Sequence, residues 1–495
     1  MSKYLKFILL ATFALSFNIL NAQKSETVGT DEKSEEEREI EKQLTSPSLF
    51  TPSAPSAIES NAIIQAQSTG IDSATLAALG SAGLTTLNSQ LSGDAATRAT
   101  QLKTLVNLVE VFSNSADASL IGRRAINASA DLTKVVTSIS TTITTDHLST
   151  LSNLDPTHMT TFASDGLSNI DNFATRVDVT SAMLGTNIGT IDATNLSSVV
   201  EHLHASLDGD SLSALNSLEK SHMSTLSTGI DLTTSFDAST LKQSVKKFAT
   251  KAEVTVEFAK AAAPSATADA SGKFDFSSID LASVATNIHA NLDDDHLTAL
   301  QQLDPSHLKT MATGTDLTAS GVDVAGKLKH FATKAEVVVE FAKVSVGSSS
   351  ADGSGNIDFS SINMDTFVTN IHSNLDEDHT SALAKLDPSH MSTMAAGTDL
   401  TASGINVATK LSHFATKAEV VVEFAKVSAG GADISGVSIT GFVTNIHANL
   451  DEDHTTALAK LDPSHMATMA AGTDLTASGI NVATKLSHFA TKAEV

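Results

Sequence analysis

The phrase "LDEDHTSALAKLDPSHMSTM" (375–394) returns almost unchanged at 450–469, and looser versions precede it. Repetition of this kind constrains a chain more than composition does. Similar words must fold into similar pieces, and each piece must bury its apolar face against its neighbours. The short motif Asp-Pro-Ser/Thr-His-Met/Leu sets the register. It stands at Asp155–Met159, Asp304–Leu308, Asp387–Met391 and Asp462–Met466, with a Pro-less variant at Glu219–Met223. A histidine precedes the anchor histidine by eleven residues at His147, His296, His379 and His454, and Ser211 takes that place in the remaining copy. A third phrase, Phe-Ala-Thr-Lys/Arg, follows at Phe173, Phe248, Phe331, Phe414 and Phe489. The last two copies match at every position between Met394–Val420 and Met469–Val495, the mark of a recent duplication.

Each copy reads as four helices. In the fourth copy, Met364, Phe367, Val368, Ile371 and Leu375 form an i, i+3, i+4, i+7, i+11 stripe. Asp376–Asp378 then cap a second helix with His379, Leu383 and Leu386 on its apolar side. Asp387-Pro388 is a helix start, because the Asp side chain accepts orphan amide hydrogens and Pro suits the first turn. The third helix carries Met391 and Met394, a core pair repeated as Met466 and Met469, and stops at Gly397. The fourth runs from about Ile405 to Val427. Its Val420–Val422 run has strand propensity, but the helical stripe enters it without a Gly or Pro, so helix is expected.

The expected fold class is therefore mainly α, a tandem array of four-helix repeat units of about 60–85 residues, preceded by a signal peptide and a disordered acidic linker. Residues 1–22 carry Lys3 and Lys6, an apolar core Phe7–Leu20 and the small Ala22, the pattern of a secretory signal. Residues 23–60 hold the charge run "DEKSEEEREIEKQL" and the Ser/Pro-rich "SPSLFTPSAPSA", which cannot bury a core. A degenerate helical unit is expected at 61–128, where "LAALGSAGLTTL" (76–87) aligns with "LAKLDPSHMSTM" and Gly83 replaces the anchor histidine. Five units follow at 129–192, 193–277, 278–360, 361–435 and 436–495. The fifth stops at Val495 inside its fourth helix, so the array is expected to be cut short.

A formal net charge of -25 argues against nucleic acid and anionic lipid as partners. The chain has no Cys, which removes disulfides, thiolate metal sites and covalent haem. After signal cleavage no segment is long or apolar enough to cross a bilayer.

All 17 histidines fall inside the units, four to a complete one: His372, His379, His390 and His413 in the fourth. The alternative to a structural role is a divalent metal or non-covalent haem. Its candidate ligands are His296, His307, His379, His390, His454 and His465, with Asp376, Asp378, Asp451 and Asp453. The structural reading is preferred, because Ser140, Ser211, Lys247 and Asn172 replace histidines in early units while the surrounding pattern persists. The Asp pairs lack the Gly and distal Glu of an EF-hand loop and suit helix capping. Nothing resembles a nucleophile elbow, a phosphate loop or a His-Glu-x-x-His helix, so no enzyme is expected. Secreted, acidic, Cys-free, Thr/Ser/Ala-rich arrays broadly resemble bacterial surface, sheath or adhesin proteins, in style rather than by any motif. The expected role is a secreted, extracellular or cell-surface protein of extension, display, adhesion or assembly, with the periplasm as a further location. Its partner is an unknown surface or matrix component, or further copies of itself.

Overall fold

A computed structural model describes residues 73–115, 128–230 and 238–495, apart from 271, 316, 318–320, 348–355, 401, 403, 432, 474 and 476–479. The expected signal segment and acidic linker lie outside the described residues, as does most of the "TDLTASG" connector of the fifth copy. The described chain is all α. It holds twenty-two α-helices and two short 3-10 turns, and its only β pairing is a single bridge between Ala268 and Phe274. No described helix is long and apolar enough to cross a membrane.

The described residues form two compact bodies, which divide between Ile170 and Asp171. The first holds α1 (Ser73–Asn88), α2 (Ala95–Ser115), α3 (Ala128–Thr142), α4 (Thr145–Leu151) and α5 (Pro156–Phe162). Within it, α2 packs against α3, α4 and α5. Helix α1 breaks at Gly80, whose φ of 63° and ψ of 178° are not helical. Gly80 aligns with Asp387, the residue that starts a new helix in the fourth copy. The degenerate copy thus keeps the bend after losing the Asp-Pro that makes it, and Gly reaches the positive φ at little cost.

The second body opens with α6 (Ile170–Leu184), followed by α7 (Ala193–Ser206), α8 (Gly209–Asn216), α9 (Lys220–Leu226) and α10 (Ala238–Ala262). Next come α11 (Leu281–Asn291), α12 (Asp294–Leu300), α13 (Pro305–Ala312) and α14 (Val324–Ser345). The same order of lengths returns in α15 (Met364–Asn374), α16 (Glu377–Leu383), α17 (Pro388–Ala395) and α18 (Val407–Ala429). It opens again in α19 (Ile439–Asn449), α20 (Glu452–Leu458), α21 (Pro463–Ala470) and α22 (Val482–Glu494).

The long helices organise the packing. Helix α14 touches α11, α12 and α13 of its own copy and α15, α16 and α17 of the next. Helices α10 and α18 are placed in the same way, and α22 packs on α19, α20 and α21. A helix covered on so many sides must be apolar nearly all round. The run "AEVVVEFAK" meets that demand: Val337, Val338, Phe341 and Ala342 are fully buried, as are Val420, Val421 and Phe424. The three valines that suggested a strand therefore lie inside α18, where tertiary burial outweighs β propensity.

The seams are aromatic. Phe341, near the end of α14, meets Phe414, near the start of α18, edge to face at 4.7 Å between ring centroids. Phe258 with Phe331 and Phe424 with Phe489 repeat that contact at 4.8 Å. Edge-to-face rings gain from quadrupole attraction beyond their buried area. Phe341→Ala is expected to cost about 3–5 kcal/mol, since the cavity would open where two copies meet. Urea unfolding checks this, and a loss below about 1 kcal/mol would show that the seam does not carry stability.

Candidate functional site

The residues with the most chemistry are the histidines, and their places follow from helix capping. The first turn of a helix leaves amide hydrogens without partners. In the motif Asp-Pro-Ser-His, the aspartate is the N-cap and the histidine stands at the third helical position. Asp387 and His390 form a reciprocal capping box at the start of α17, as Asp304 and His307 do at the start of α13. Such boxes usually place Glu or Gln at the third position. Here an imidazole does the work: the amides of Asp387 and Asp304 donate to Nδ1 of His390 and His307, each at 3.2 Å. An amide can only donate, so Nδ1 accepts and the ring proton sits on Nε2. The "DEDH" phrase builds the same device, with His379 Nδ1 accepting from the amide of Asp376 at 3.4 Å and the Asp376 carboxylate accepting from the amide of His379 at 2.9 Å.

The other ring nitrogen reaches the next copy. His390 Nε2 lies 3.1 Å from Thr440 Oγ1 on α19, and His307 Nε2 lies 3.2 Å from Asp365 Oδ1 on α15. Thr440 and Asp365 occupy the same place in their copies. The long helices reach across as well: His413 Nε2 lies 3.0 Å from Thr456 Oγ1, and His330 Nδ1 lies 2.6 Å from Thr380 Oγ1. Lys410 pairs with Glu452 and Lys327 with Glu377 across the same seams. Lys247, one of the residues that replaces a histidine, pairs with Asp294 at 2.7 Å. At that seam a cation does with charge what the later copies do with imidazole and lysine together. Burial holds His222, His296, His330 and His413 below the ordinary imidazole value, which favours the neutral ring that these bonds need.

The candidate metal ligands are spread among these caps. His296, His379 and His454 face the aspartates that start α12, α16 and α20, with Nδ1–Oδ1 separations of 2.8, 3.0 and 2.9 Å. His307, His390 and His465 face the aspartates that start α13, α17 and α21. Asp376 and Asp451 are the N-caps themselves, and Asp378 and Asp453 are exposed in the first turns of α16 and α20. Among the described residues, no three His, Asp or Glu side chains converge on one point as a metal would require.

The glutamates of the long helices escaped the sequence reading. Glu336 and Glu419 are only 5% and 6% exposed, and Glu253 is half-buried. Burial, with the negative charge of neighbouring aspartates added, raises Glu336 to about 8 and Glu419 to about 7. Burial also raises Glu253 to about 7, against a 2.7 Å hydrogen bond from Ser211 Oγ that favours the charged form. The signal was present in "KAEVVVEFAK", where two acids interrupt a helix that is otherwise apolar on every side.

Known protein families, curated proteins and solved structures were compared with this chain, and none matches.

The arrangement makes a graded prediction for the anchor histidine. His390→Gln keeps an acceptor at the third position and should cost under about 1 kcal/mol. His390→Ala orphans the Asp387 amide and the Thr440 contact, and should cost about 1–2 kcal/mol. Urea midpoints for the two variants would check the order, and equal losses would remove the capping role.

Proposed function

We propose that this is a secreted or cell-surface protein whose work is structural: extension, display, adhesion or assembly through a tandem array of four-helix units. One observation carries the reading. The polar chemistry of the sequence is spent at helix starts and at seams between copies, in contacts such as His390 with Thr440 and Lys410 with Glu452. The aromatic seams recur alongside them. A chain that invests its reactive side chains in joining like to like gains length and surface with each added copy. The charged, secretory-type start of the sequence and the net charge of -25 favour work outside the cytoplasm and fit a soluble, well-hydrated surface. The sequence holds no nucleophile elbow, phosphate loop or His-Glu-x-x-His helix, and we propose no enzymatic activity.

Two measurements test the reading together. Surface proteolysis of intact producing cells, with assay of the medium, should find the chain outside the cytoplasm. Deletion of residues 361–435 should join the third copy to the fifth and leave a helical, cooperatively folded protein, because equivalent seams can be exchanged. Retention in the cytoplasm would contradict the location. Collapse of the shortened chain would contradict the array.

A further inference from the structure

Two glutamates stand one turn apart in α10, α14 and α18, and the structure treats them differently. The second takes the cation. Glu340 pairs with Lys343 at 2.6 Å, Glu257 with Lys260 at 2.7 Å and Glu423 with Lys426 at 2.5 Å. The first, Glu253, Glu336 or Glu419, has no ion-pair partner among the described residues.

What faces the first glutamate is negative. Around Glu336 stand Asp293 and Asp295 from the start of α12, Asp387 from the start of α17, and Glu340 on its own helix. Around Glu419 stand Asp376 and Asp378 of α16 and Glu423. Around Glu253 stand Asp208 and Asp210 of α8 and Glu257, with the Ser211 hydroxyl bonded to it. Of the other charged groups on the helices packed on α14, His296 of α12 and His379 of α16 stand beside Asp293 and Asp376 at 2.8 and 3.0 Å, the place from which His454 comes within 3.9 Å of Glu494, the matching glutamate of the fifth copy. Lys327 holds Glu377, Lys334 donates to the His372 carbonyl at 3.2 Å, and His307 contacts Asp304 and Asp365. The same arrangement therefore recurs three times: a carboxyl in the best-covered helix of the copy, walled by the acidic caps that its neighbours need.

We propose that Glu253, Glu336 and Glu419 are a proton-operated lock that holds the long helices between their neighbours in neutral and acidic solution and loosens them in mildly alkaline solution. A buried acid among aspartates is tolerated as a neutral carboxyl, which packs as an amide would. Ionised, it must draw in water or move away from the caps, and the helix it belongs to touches both its own copy and the next. The sign follows from linkage. An acid whose folded value lies above its unfolded value contributes stability that is complete below the unfolded value of about 4.5 and is lost as pH rises through the folded value, here about 7 to 8. The lysines Lys251, Lys334 and Lys417 are lowered from 10.5 by burial. They stand two residues before the glutamates, so the test keeps to pH 9 and below. His296, His330 and His413 are held below 6.5 by burial, so their contribution rises with pH up to about 6.5 and runs opposite to that of the carboxyls. A fall in stability from pH 6 to 8 that levels off by pH 9 therefore reads the carboxyls. The device is independent of what the array does outside the cell.

The test compares the full chain with the triple variant E253Q/E336Q/E419Q by thermal melting between pH 6 and pH 9. The wild type should lose about 5–10 °C over that range, and the variant should lose little. Gln copies the shape of the neutral acid, so the variant should also melt higher than wild type at pH 9. Infrared spectroscopy of the wild type gives a reading that needs no variant: a protonated-carboxyl band should be present at pH 6.5, where ordinary glutamates are ionised, and fade by pH 9. A wild-type melt that is flat from pH 6 to 9, a variant that retains the fall, or absence of the band at pH 6.5 would each overturn the lock. Recovery of the alkaline melt by calcium, in wild type and not in the variant, would also overturn it, by showing that the carboxyls serve a metal.

Discussion

The structure depends on one constraint, the enclosure of the long helices α10, α14 and α18 by their own copy and the next. Helix α14 cannot bury its apolar surface against α11, α12 and α13 alone, and α15, α16 and α17 supply the rest. Non-directional burial provides the free energy. The aromatic pairs Phe341–Phe414 and Phe424–Phe489 give it position, because ring edges and faces meet at one register. Every other contact at a seam follows from the placement of these helices.

Burial alone would tolerate slippage between neighbouring copies. The polar joints resist it. His307 and His390 each satisfy an orphan amide within their own copy through Nδ1 and contact the next copy through Nε2, so one ring ties local capping to the seam. A slip of one helical turn would break both bonds at partly buried sites, where an unmet polar group is costly. The early copies show how the joint varies. Ser211 bonds to Glu253 where later copies have histidine, and Lys247 reaches Asp294 where later copies carry His330 and His413. The joint is also unevenly satisfied. Lys251 contacts His289 Nδ1 at 3.3 Å, whereas the Nδ1 atoms of His372 and His447 are buried without a hydrogen-bond partner.

Much of the fold was legible in the sequence because its signals are local. Asp387-Pro388, the Met391/Met394 spacing and the stripe from Met364 to Ile371 each report one helix, and α15, α16 and α17 begin within a residue or two of where those signals place them. The bend at Gly80 was less legible, since a glycine inside a helical pattern does not declare that it replaces an N-cap. The division of labour among the histidines was half legible. Their spacing from aspartate suggested capping, but the partner of Nε2 lies about fifty residues further on, as Thr440 does from His390, and no local pattern encodes it. Glu336 and Glu419 were in plain view inside an apolar run, yet the aspartates that wall them come from other helices. Long-range juxtaposition, rather than propensity, separates what could be read from what could not.

The central claim is that the histidines and aspartates are joints between helices and between copies, and that the fold stands without a metal. The most direct measurement is elemental and haem analysis of purified residues 23–495 after dialysis, with thermal melts before and after a chelator. The account predicts no stoichiometric metal or haem and a melt that the chelator leaves unmoved. About one ion or haem for each complete copy, with a melt that falls on chelation, would contradict it and make ligands of residues described here as caps.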